Sequence, residues 1–149
     1  MKTIVKNKKA FFDYEIVESQ EAWVELKWHE VKSIRSWQVH LKWSYIVSRN
    51  GELFVKSMHI SAWKALANRD SLETDRERKI FLSKKKIIYY TSKMKEAGYS
   101  IAPLSLYFRW SLIKMSVGLV KWKKQHQKKQ ILKERTLDRE AKMYLKKNY

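Results

Sequence analysis

The chain has 149 residues, enough for one domain with a real core. Its 33 Lys plus Arg against 15 Asp plus Glu leave a net charge of +18, a field that draws in polyanions without choosing among RNA, DNA and an anionic membrane. Cysteine is absent, which excludes disulfides and Cys-based zinc sites, no apolar run approaches the roughly 18 residues of a spanning helix, and the basic N-terminus leads into no signal-peptide core, so a cytoplasmic protein is expected.

Residues 1–13 are polar and basic and read as an N-terminal arm. From Tyr14 the pattern turns to period two, with Val24 and Leu26 alternating with Glu25 and Lys27 as on a half-buried strand. Val31 and Ile34 stand three apart, so one short helix points both inward and turns Lys32 and Arg35 to water. A solvated face is the plain reading of those two cations, and a seat for a phosphate backbone is the functional one. Tyr45–Arg49, then Asn50-Gly51, then 53–60 predict a hairpin, because Asn-Gly tolerates the positive φ of a type I′ turn.

Residues 62–77 lose all periodicity and are expected to form a mobile loop. A short strand over 78–82 follows. Ser83 then caps a helix with Ile87, Ile88, Thr91 and Met94 on one face and Gly98 as its C′ stop. Leu104, Leu106 and Phe108, then Ile113, Met115, Val117 and Leu119, alternate with polar or small neighbours and give two more antiparallel strands. Residues 123–149 hold ten basic residues against Glu134, Asp138 and Glu140, and too few apolar ones to bury a continuous stripe. This tail, counted from 122, is expected to be intrinsically disordered alone and helical on a polyanion. The whole predicts a mainly β chain with two to three flanking short helices, in which a small barrel and a sandwich remain open.

Catalysis finds no foothold in this pattern. His29, His40, His59 and His126 are scattered without HExxH or triad-like context, and no Walker loop is present. A non-enzymatic binding protein with neither cofactor nor metal is therefore expected.

The order of residues narrows the partner. Glu30-Val31-Lys32-Ser33-Ile34-Arg35-Ser36 with Leu41-Lys42 and Ser44-Tyr45 resembles the signature of the small protein B family, the SsrA-binding proteins of bacterial trans-translation. Asn7-Lys8-Lys9-Ala10 with Asp13-Tyr14, Asn50-Gly51-Glu52, Met58-His59-Ile60-Ser61, Arg76 with Arg78-Lys79, Pro103-Leu104 with Leu106-Tyr107-Phe108, and Gly118-Leu119 with Lys121 and Lys123-Lys124 fall in family order. Gln125-His126 with Lys128 carries the match into the tail. The resemblance implies an OB-like antiparallel β-barrel over 14–121 that binds the tRNA-like domain of tmRNA and brings it to stalled ribosomes. It implies tmRNA contacts from Asn7, Lys9, Glu30, Lys32, Ser33, Arg35, Lys121, Lys123 and Lys124. It further implies that the tail, helical on the ribosome, enters the decoding centre and mRNA channel, with His126, Lys128, Lys129, Lys133 and Arg135 against small-subunit rRNA. No membrane partner is implied, and the free protein is expected as a monomer. Two positions depart from the family pattern, Gln127 for Asp and Phe12 for His. The alternative is a general RNA chaperone or ribosome-associated basic protein, for which a charge of +18 suffices.

Seven Trp beside three Gly is the oddest feature of the composition, since soluble chains average about 7% Gly. Where the resembled family usually has Gly, this chain has Trp23, Trp28, Trp37 and Trp122. Trp37 would stand just after the short helix, where a left-handed residue is wanted, and Trp110-Ser111 lies at the turn between the last two strands, where Gly-Ser would suit a type II′ turn. Three readings are open: ordinary aromatic packing, rings stacked on bases, and glycine codons of the UGA type written as Trp, with Trp43 and Trp63 the less clear cases.

Overall fold

The computed structural model describes residues 1–63 and 73–148. In chain order these form β1 (Lys2–Lys6), α1 (Lys8–Asp13), β2 (Tyr14–Val24), α2 (Trp28–Arg35), β3 (Val39–His40), β4 (Tyr45–Arg49) and β5 (Glu52–Lys56). Then come β6 (His59–Ile60), β7 (Arg78–Phe81), α3 (Lys84–Met94), β8 (Tyr99–Arg109), β9 (Leu112–Trp122) and α4 (Gln125–Asn148). The loop expected over 62–77 falls at 64–72 outside the described residues.

The longest ladder follows from the clearest alternation. Ile113, Met115, Val117 and Leu119 all point into the core, at 8% exposure or less, and β9 pairs along its length with β8 on one side and β2 on the other. One antiparallel sheet results, in the order β1-β8-β9-β2-β7-β5-β4, with β3 and β6 as a separate pair. β2 joins its two halves: Tyr14 to Ala22 face β9, after a bulge between Ile16 and Glu18, and Trp23 and Val24 pass over to β7. The sheet curls until β4 lies against β8, yet among the described residues no ladder joins its end strands β1 and β4. The barrel that the family resemblance implies is thus an open, curled sheet at the level of backbone hydrogen bonds.

Local chemistry explains the elements that match expectation. Asn50 and Gly51 take φ of +54° and +74°, the two left-handed residues of a type I′ turn, and set Arg49 opposite Glu52. Ser83 caps α3 by accepting from the Lys86 N–H at 3.3 Å. Other expectations are corrected. The buried side of α3 is led by Tyr90, fully buried, while Ile88 is 61% exposed. Gly98 is no C′ stop, since α3 ends at Met94; its φ of +87° serves the turn into β8, and its carbonyl accepts from the Trp122 N–H.

Both termini are more ordered than expected. Residues 2–6 pair with β8, and α1 sits on a second small core of Ala10, Ala102, Leu104 and Val120, so the presumed arm belongs to the sheet. The tail, expected to be disordered alone and helical on a polyanion, is here the 24-residue helix α4. Its first turns rest on the body through Lys128 and Arg135, whereas Leu132, Leu137, Met143 and Leu145 are more than half exposed further out.

Gly118 makes room for Leu104, since a Cβ there would stand 2.6 Å from Cδ1 of that buried side chain. Gly118→Ala should lower stability by about 1–3 kcal/mol through overpacking, as read from the midpoint of urea unfolding.

Candidate nucleic-acid interface

α1 is fixed to the sheet by one side chain. Asn7, only 4% exposed, donates its amide to the Pro103 carbonyl at 2.8 Å, while its Oδ1 accepts from the Ala10 N–H at 3.2 Å as the helix cap. Its own backbone N–H donates to the Leu104 carbonyl at 2.8 Å. With all these groups engaged, Asn7 holds the helix and presents its neighbours. Lys8 and Lys9 project to solvent, and Lys6 lies 4.2 Å above the Phe11 ring.

The start of the tail completes this side. A groove is lined by Lys6, Lys8, Lys9, Phe11, Phe12 and Arg135, and an adjoining recess runs past Asn7 to His40, Leu41 and Lys42. Arg135 stands 5.4 Å from the centre of the Phe12 ring. Lys123 donates its Nζ to the Phe11 carbonyl at 2.8 Å and its backbone N–H to the Asp13 carbonyl at 2.9 Å, which seats the end of β9 against α1. Asp13 takes Lys9 at 3.1 Å and Lys128 at 3.3 Å. Burial works to raise the Asp13 carboxyl, but the two ammonium groups outweigh it and hold it below the usual carboxylate range. Lys121 is exposed at the end of β9, 5.4 Å from the centre of the Tyr99 ring, and Lys124 is exposed just beyond it. Lys129 and Lys133 are exposed on α4, and the side chain of His126 is not among those described.

α2 divides the residues expected on it. Lys32 and Arg35 are exposed, as the spacing requires. Glu30 and Ser33 are not available to a partner, at 2% and 1% exposure. Glu30 accepts from the Lys27 N–H at 2.8 Å, which satisfies the backbone donor at the N-cap of α2, and pairs with both Arg76 and Arg78. Arg78, fully buried, donates onward to the carbonyls of Met58 at 2.6 Å, Thr74 at 3.0 Å and Arg76 at 3.2 Å. Burial pushes the Glu30 carboxyl up, and the two guanidiniums with the Lys27 N–H more than reverse it. Glu30 is therefore a positioning residue that ties α2 to the segment entering β7.

Asn7, Lys9, Lys123, Lys128 and Arg135 are thus brought together around α1, and Lys32 and Arg35 do not line that groove. Sequence reasoning assigned no contact to Lys6, Lys8, Phe11 or Lys42, and noted Phe12 only as a departure from the family pattern. The run of cations from Lys6 to Lys9 followed at once by Phe11-Phe12 is the signal that was present, since interleaved cations and aromatics suit a phosphate chain with bases. Among the described residues no cluster of three or more His, Asp or Glu is placed to hold a metal, and no helix is long and apolar enough to cross a membrane.

Known proteins resemble this chain over most of its length. The family described as SmpB protein matches residues 4–147. The SsrA-binding protein of a Nitratiruptor species is 43% identical over 147 residues, covering 98% of each chain. That of Geotalea uraniireducens is 41% identical over 145 residues, covering 97% of this chain and 95% of the relative. Among solved structures, a chain described under "tmRNA-SmpB: a journey to the center of the bacterial ribosome" superposes with a TM-score of 0.66 at 31% identity, over 81% of this chain and 85% of that one.

Removing the Glu30 carboxylate leaves Arg78 buried without its counter-charge. Glu30→Ala should cost about 3 kcal/mol or more in urea unfolding and speed amide exchange at Thr74 to Arg78. Because the folded carboxyl titrates below its ordinary range, its stabilisation is complete above about pH 4.3 and is lost as pH falls through the folded value; Glu30→Gln should flatten that acid limb.

Proposed function

The chain belongs to the SmpB protein family, and from that premise we propose how its surface divides the work of a tmRNA-binding adaptor in trans-translation. The protein binds tmRNA and acts with it on the ribosome. We infer that it does so as a non-enzymatic, cytoplasmic protein whose curled sheet is an OB-like RNA-binding body. What supports the assignment of the face is the groove in which Lys6, Lys8 and Lys9 stand around Phe11 and Phe12.

Folded RNA is recognised through phosphates, 2′-hydroxyls and bases splayed from loops. In this reading Lys6, Lys8 and Lys9 neutralise phosphates of the tRNA-like domain, and Phe11 or Phe12 offers a ring to an unpaired base. Lys121, Lys123 and Lys124 extend the same field along the end of β9, and Lys32 and Arg35 form a separate contact from α2. Asn7 and Glu30 contribute by holding α1 and α2 in place. Residues 1–121 make the body, and the limb over 122–149 is assigned to the ribosome: His126 stacks on or hydrogen-bonds rRNA near the decoding centre, and Lys128, Lys129, Lys133 and Arg135 neutralise phosphates along the mRNA channel.

Two experiments separate body from limb. Lys6→Gln with Lys8→Gln and Lys9→Gln should weaken tmRNA binding about 10-fold or more at moderate salt and make the log–log salt slope shallower by about 2, and an unchanged affinity across a KCl series would refute the groove. Truncation after Lys124 should leave tmRNA affinity within a few-fold while abolishing tagging in a reconstituted translation system; retained tagging would remove the role given to the limb.

A further inference from the structure

Five non-glycine residues among those described have φ in the left-handed region: Trp37 (+62°), Trp43 (+68°), Asn50 (+54°), Ser57 (+60°) and Trp110 (+57°). Three of the five are Trp, although a left-handed backbone brings Cβ against the following carbonyl and a bulky residue there is an outlier. Each of the three occupies a motif that asks for glycine, and the motifs are unrelated. Trp37 is the C′ residue of α2 in a Schellman motif: its N–H donates to the Ile34 carbonyl at 2.9 Å, and the Gln38 N–H to the Ser33 carbonyl at 3.0 Å. Trp43 is the third residue of a turn closed by Ser44 N–H to the Leu41 carbonyl at 3.0 Å, where positive φ defines type II. Trp110 opens the two-residue loop that sets Arg109 opposite Leu112, and such loops need positive φ at their first residue.

Packing does not compensate for this strain. Trp37, Trp43 and Trp110 are 48%, 65% and 88% exposed, and Trp23, Trp28 and Trp122 are each at least 46% exposed. A tryptophan that serves a core is buried nearly throughout, whereas each of these six leaves close to half of its surface or more in solvent. Base stacking gives no reason to place the ring on a left-handed residue in three different turns. A cause acting on the codon does, because it is blind to local structure.

We propose that the protein as its host makes it carries glycine at all seven Trp positions, through a UGA codon decoded as glycine. The strained turns then relax into glycine turns, and the chain has ten glycines, close to the roughly 7% average. The consequence reaches the interface, and this step rests on the function proposed above. The Trp43 ring lies 4.5 Å from Lys9 Nζ, and the Trp122 ring lies 4.0 Å from Lys128 Nζ and edge-on to Tyr14. With glycine at both places, two lysines of the RNA face lose their covering rings.

Peptide mass spectrometry of the protein purified from its own cells tests this directly, on the tryptic peptides spanning 36–42, 43–49 and 110–114. Glycine at 37, 43 and 110 supports the proposal, and tryptophan at any of them overturns it. A second test needs no native material: in the recombinant chain as written, Trp37→Gly, Trp43→Gly and Trp110→Gly should each raise Tm by about 2–8 °C. A lowered Tm for two or more of them would overturn the claim that the backbone is built for glycine there. Both readouts are independent of RNA binding, so the decoding proposal and the proposed function fail separately.

Discussion

A carboxylate buried between two guanidiniums fixes the geometry on which the α2 side of this fold depends. Glu30 would be a costly residue to remove from water alone, and the cost is offset only because Arg76, Arg78 and the Lys27 N–H saturate it. Arg78 in turn satisfies three main-chain carbonyls, at Met58, Thr74 and Arg76. One charge cluster thereby joins a helix, a turn and the entry to a central strand. It also explains why a chain so rich in cations keeps an acid in a basic helix: the acid faces inward, and the cations beside it face out.

The body and the limb are coupled by a similar but more exposed arrangement. Asn7 caps α1 and pins it to β8, and α1 then offers Asp13 to lysines from both of its sides, Lys9 within the helix and Lys128 from α4. The groove of cations and phenyl rings exists because α1 is held and α4 is started against it.

What is legible in the sequence is local. Asn50-Gly51 carries its turn type in two residues, and the alternation from Ile113 to Leu119 carries its own strand and buried face. Ile34 reads as core from spacing alone. The residues that mislead are those whose partners are distant in the chain. Asn7, Glu30 and Ser33 look like surface polar groups until Pro103, Arg76, Arg78 and the packing around α2 are seen. Tyr90 rather than Ile88 is buried, packed in the main core with its hydroxyl 3.4 Å from Glu18 of β2, a distant partner that helical periodicity does not encode. The tail reads as disordered because it lacks an apolar stripe, and its helix begins from polar anchors instead. Glycine demand at residues 37 and 110 is visible from their place after a helix and between strands, whereas the turn at 43 has no flag in the sequence other than the residue that fills it.

Asp13 has a bearing on selectivity. It is an anion already paired with Lys9 of the groove and with Lys128 at the start of α4, tethered at a fixed and high effective concentration. Any incoming anion competes with it for Lys9 and Lys128. A lone phosphate or chloride gains little by the exchange, since it replaces one anion with another and surrenders its own freedom of movement. A polymer that makes several such contacts at once loses that freedom only once, so the built-in competitor discounts small ions and leaves long phosphate chains favoured.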